Sequence, residues 1–169
     1  MALEDQLIQW DGKSADFLSD LYARTFELKP FLEEVFDLIP EPGFQTAATW
    51  LLKHHLDQGH SVSDGQRSSL IREMKSLCDW ESKLHALQCL PKLKLTRRQA
   101  DQAIRFLRTC LDDDNKFVRA WAFGGFHALA AQHTCFQIES EERLAWAAEN
   151  EAPSVKARIR QVTGQKRKT

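Results

Sequence analysis

Four short stretches of this chain share one frame, and their spacing limits the possible folds more than any other feature. They are PEPGFQTAATWL, DWESKLHALQCL, DDNKFVRAWAFGGF and NEAPSVKARI, anchored at Gln45, Lys83, Arg119 and Lys156. The anchors lie 38, 36 and 37 residues apart. Three residues after each anchor comes Ala48, Ala86, Ala122 or Ile159, and seven after the first three come Leu52, Leu90 and Phe126. A recurring unit of this length, with one helix before the frame and one after it, has the size of a stacked helix pair.

The chemistry of the frame is consistent with that unit. Acidic and amide residues at the turn suit the positive end of the helix that follows. A small residue at the third position lets a neighbouring helix come close, and Leu or Phe at the seventh lies on the same face and fills the core. A basic anchor reaches the acidic turn of the next unit, which predicts a ladder of contacts. Ser82, where the frame has an apolar residue, and Gln45, where it has a cation, depart from this pattern. Capping signals mark further helices. Ser14 opens a helix running to about Leu28, and Pro30 begins PFLEEVFDLI, which Pro40 closes. Ser63–Gln66 and Thr96–Gln99 have the form of capping boxes. The first precedes the stripe Leu70, Met74, Leu77, and the second precedes Ala103, Ile104, Leu107, Leu111. Few runs alternate apolar and polar residues, so an all-α fold is expected.

The pattern resembles HEAT repeats, whose second helices open with a D-P-D-P-x-V-R-x-x-A signature. DDNKFVRAWA and NEAPSVKARI carry the resemblance well, and the other two frames carry it in part. It implies a short right-handed α-solenoid of about four helix pairs over 31–165, with second helices lining a concave face. Residues 1–30 would form a helical cap and 166–169 a basic tail, the whole being one structural domain. The resemblance also implies a scaffold or interaction role, since fold alone does not fix function.

Charge is unevenly placed. Residues 1–42 hold 10 acidic and 3 basic side chains, and residues 43–169 hold 14 acidic and 20 basic. Lys156, Arg158, Arg160, Lys166, Arg167 and Lys168 follow one another without an acidic residue. They make a solvated helix end or a patch attracting a polyanion. Cys78, Cys89, Cys110 and Cys135 form no CxxC pair and read as buried free thiols in a reducing compartment. MALEDQLIQW has no signal-peptide pattern, and no apolar run is long enough to cross a membrane. A soluble cytoplasmic protein is expected.

Positions two, five and nine after each anchor point away from the core positions of the frame. That strip contains Ala47, Trp50 and His54, then His85, Gln88 and Lys92, then Trp121, Gly124 and Ala128, and finally Arg158 and Gln161. Trp50, His54, His85, Gln88, Lys92, Trp121, Gly124 and Arg158 are the candidate partner-binding residues, because aromatic and basic groups anchor interfaces. The alternative is that Trp50 and Trp121 pack between helices. Gly124 and Gly125 cost a helix roughly 2 kcal/mol relative to two alanines. Gly125 falls on the flank where a helix packs, and Gly124 on the strip, where it would leave backbone open to a partner.

No metalloprotease, P-loop, hydrolase or dinucleotide motif occurs, so no catalytic residue, metal or cofactor is expected. His54, His55 and His60 lack a zinc-type complement, and Asp112–Asp114 reads as a capping turn. The expected function is a non-catalytic scaffold or protein-interaction module. The alternative is nucleic-acid binding through Lys83, Lys92, Arg119, Lys156, Arg158 and Arg160. A few HEAT-like proteins are DNA alkylation-repair glycosylases, which is the enzyme form of that alternative. The sequence leaves the oligomeric state open.

Overall fold

A computed structural model describes residues 1–164, without the side chain of Val162. The basic tail and its Lys166, Arg167 and Lys168 lie outside the described residues. Among the described residues there are ten α-helices, three 3-10 turns and no strand. The chain divides into two compact units, Met1–Cys89 and Leu90–Thr169.

The first unit holds α1 (Leu3–Leu7), α2 (Ala15–Thr25), α3 (Phe31–Leu38), α4 (Gln45–Asp57), α5 (Asp64–Glu73) and α6 (Trp80–Cys89). Ser14 caps α2 by accepting the Phe17 amide, and Ser63 and Gln66 close both halves of the expected capping box on α5. Helix α4 is the hub, packing against α2, α3 and α6, while α1 and α5 pack on α3. The backbone amide of Leu3 donates to Glu34 Oε2 at 3.1 Å, tying α1 to α3.

The second unit holds α7 (Arg97–Cys110), α8 (Lys116–Gln132), α9 (Gln137–Asn150) and α10 (Pro153–Thr163). Thr96 and Gln99 form the second capping box, and Asn115 caps α8. Helix α8 is the hub, packing against α7, α9 and α10. Ala120, Phe123, Ala147, Val155 and Ile159 form a core cluster between α8, α9 and α10. Gln132, near the end of α8, holds the segment before α7: its Nε2 donates to Leu93 O at 3.1 Å and its Oε1 accepts from the Leu95 amide at 2.9 Å.

The frame's third and seventh positions are buried, and so are Val118 and Val155 just before their anchors, whereas Phe44 before Gln45 is half-buried. Ala48, Ala86, Ala122 and Ile159 at the third position, and Leu52, Leu90 and Phe126 at the seventh, lie in the interior. Ser82 is buried as well, and its hydroxyl satisfies itself by donating to Asp79 O at 2.8 Å. In α6, α8 and α10 the anchor is the fourth helical residue, whereas α4 begins at its anchor after a turn containing Gly43. Two helices carry little sequence signal: α1 is barely one turn, and α9 buries only the small Ser140 and Ala147.

The cysteine reading needs correction. Cys89 and Cys110 are buried, but Cys78 and Cys135 are exposed. Cys78 lies between the 3-10 turn Met74–Ser76 and α6, and Cys135 lies in the 3-10 turn Thr134–Phe136, so neither belongs to a helix interior. No helix among the described residues is long and apolar enough to cross a membrane.

Candidate partner-binding surface

One anchor in each unit, Gln45 and Arg119, reaches the next turn. Arg119 Nε and Nη2 donate to the two carboxylate oxygens of Glu151 at 2.8 and 3.3 Å, and Glu151 lies in the turn before α10. Its Nη1 donates to the carbonyls of Asp113 and Asp114 at 2.9 and 3.1 Å, so the guanidinium also closes its own turn. Gln45 does the same without charge. It is fully buried; its Nε2 donates to Ser76 O at 3.0 Å and its Oε1 accepts from the Cys78 amide at 3.0 Å. A neutral amide carries both donor and acceptor, so it can bridge a turn at a site where a buried cation would need a counter-ion. Between α7 and α9, Arg108 pairs with Glu139 through two bonds of 2.9 and 2.7 Å.

In the first unit, the candidate residues Trp50 and His54 join a chain of rings. Trp50 stacks on His54 at 4.8 Å, and His54 meets the edge of Tyr22 at 4.7 Å. Tyr22 Oη lies 3.1 Å from His55 Nδ1, His55 stacks on His60 at 4.7 Å, and Phe26 and Phe31 flank the group. Burial pushes the His54 and His55 imidazoles below their ordinary pKa, with neighbouring Lys53 and His60 adding to the effect. Tyr22, Phe26, Phe31, His55 and His60 are the residues the strip did not identify. The histidines stood out in the sequence, but nothing local pairs them with rings about thirty residues away.

His85 joins α6 to α4. Its Nδ1 lies 3.2 Å from Thr49 Oγ1, and the ring also hydrogen-bonds the Thr46 backbone. Burial first, and Lys53 second, lower its pKa to about 4. An imidazole held in this way is an uncharged fastening between two helices. Gln88 is half-buried on the same helix, with an Oε1 that has no hydrogen-bond partner among the described residues. Cys89 is buried nearby, and burial pushes its thiol up to about 12.

In the second unit, Trp121 and Arg158 come together. The Arg158 guanidinium lies 4.4 Å from the centre of a Trp121 ring, a cation–π stack between equivalent strip positions of α8 and α10. Both are half-buried, and Arg158 Nη1 donates to Gln161 Oε1 at 2.8 Å. Lys92 is exposed in the 3-10 turn Leu90–Lys92.

Gly124 corrects an expectation: it is buried, as is Ala47, and neither offers open backbone. Helices α4 and α8 are hubs, so their residues are covered over most of the circumference. Gly125 does sit where a helix packs closely. A Cβ there would lie 2.5 Å from Leu107 Cδ2 on α7.

Among the described residues, no group of three or more His, Cys, Asp or Glu side chains is placed to hold a metal ion. Comparison with protein-family models, with curated proteins and with solved structures gives no match.

Proposed function

We infer that the protein is a non-catalytic HEAT-like scaffold or interaction module that takes a protein partner on the strip of its second helices. The Trp121–Arg158 stack carries this reading. It presents a guanidinium preorganised on the face of an aromatic ring, the residue types that dominate binding hot spots. The repeat architecture is supported by contacts within each unit. Second helices pack on second helices in α4 with α6 and in α8 with α10, and anchors Gln45 and Arg119 each hold the following turn. The absence of catalysis is part of the proposal. His85, bonded to Thr49 and to the Thr46 backbone, is committed to joining helices, which supports that part of the proposal.

Nucleic-acid binding is the weaker reading, because Arg119 is already committed to a carboxylate and two carbonyls. A cytoplasmic location is proposed with the function: four free cysteines, two of them exposed, suit a reducing compartment. The experiment is affinity capture from cell extract with and without nuclease, across a salt series. A partner retained after nuclease and changed little by salt is expected. Capture that vanishes with nuclease, or falls steeply with salt as phosphate contacts do, would overturn the reading.

A further inference from the structure

We propose that the outward ridge of α9 is a second docking surface, and that its occupant is a basic amphipathic helix of a partner protein. Ser140 and Ala147 turn one side of α9 to the core. On the other side Ile138, Glu142 and Trp146 follow at intervals of four, which places them on one helical ridge. Ile138 is 72% exposed and Trp146 is 54% exposed.

Trp146 is a braced anchor. Its indole stacks at 6.5 Å and 24° on Phe123, which is buried in the core cluster. One side of the indole is therefore held in place while the rest faces solvent, so little side-chain freedom is lost when a partner covers it. Ala145 and Ala148 are exposed beside it, and their small side chains allow a helix to approach closely.

The charge around the ridge selects the partner. Glu141, Glu142 and Glu149 are exposed and make no ion pair among the described residues. Glu139, the fourth glutamate of the helix, differs: Arg108 and Arg143 both pair with it. An apolar ridge flanked by unpaired carboxylates repels nucleic acid and anionic lipid and attracts lysine and arginine. A helix with apolar residues at i, i+3/i+4 and i+7 and cations on its flanks meets both requirements. Ile138 and Trp146 are separated by about 12 Å of helix rise, roughly two turns of such a ligand.

The probe is a fluorescein-labelled helical peptide with leucines at that spacing and lysines elsewhere, compared with the same peptide carrying glutamates for the lysines. Anisotropy on the full chain is expected to show binding of the lysine peptide only. Ile138→Ser and Glu142→Lys should each weaken it about tenfold, and Trp146→Ala at least as much. The triple change Glu141→Lys, Glu142→Lys and Glu149→Lys should transfer binding to the glutamate peptide. Ile138, Glu141, Glu142 and Glu149 are exposed, so these variants keep their helical circular dichroism even where Trp146→Ala loses it. Absence of binding, or lysine-peptide affinity unchanged by Ile138→Ser and Glu142→Lys, would overturn the proposal. The second outcome would place the peptide elsewhere, for example on the acidic residues 1–42.

Discussion

Gly125 and Leu107 show how one methyl group couples two helices. In an open helix, Gly→Ala at this position would gain about 1 kcal/mol. Here the added Cβ falls 2.5 Å from a Leu107 methyl, and Leu107 is fully buried. Overpacking costs roughly 1–3 kcal/mol and outweighs the gain. Gly125→Ala should therefore lower stability in urea unfolding, and the same change in a Leu107→Ala background should raise it. His85 sets a second expectation. Its folded pKa of about 4 is below the unfolded value, so the unfolded chain binds the extra proton. The contribution is fully present above about pH 6.5 and is lost as pH falls toward the folded pKa, by at most about 3 kcal/mol. His54 and His55 are shifted in the same direction and add to the trend. Urea midpoints measured between pH 7 and pH 4 should fall with acid, and His85→Gln should flatten that fall. An unchanged slope in the variant would remove His85 from the account.

At the scale of elements, the turns before α6 and α10 are each held by the preceding anchor, Gln45 and Arg119. Gln45→Ala leaves the Cys78 amide and the Ser76 carbonyl without their partner, at a cost of about 1–3 kcal/mol. Glu151→Gln removes the charge that meets Arg119 and should cost about 2 kcal/mol. Both are read by chemical denaturation. These elements also show what the sequence could and could not convey. Capping boxes at Ser63 and Thr96, and the buried third and seventh frame positions, were legible because they depend on spacing within one helix. The burial of Ala47 and Gly124 was not, because it depends on how many neighbours cover a hub helix. In sequence Gln45 departs from the cationic anchor; only its two bonds reveal that an amide holds the turn in its place. The ring chain through Tyr22 and the bracing of Trp146 by Phe123 depend on side-chain orientation between helices, which periodicity does not encode.

At the scale of the whole molecule, the chain is all-helical among its described residues, with a hub helix in each unit and a strongly acidic first quarter. The proposed role follows from how its cations are used. Arg119 and Arg108 are engaged with carboxylates, while Arg158 lies on an indole. A protein built this way should respond weakly to salt when it binds. The most direct test of the central claim measures Trp121→Ala and Arg158→Ala twice, by thermal melting and by capture of the nuclease-resistant partner. The account predicts folded variants with melting temperatures within a few degrees of the parent and capture lost in both. Capture that persists in both folded variants, or a Trp121→Ala chain that no longer folds, would contradict it.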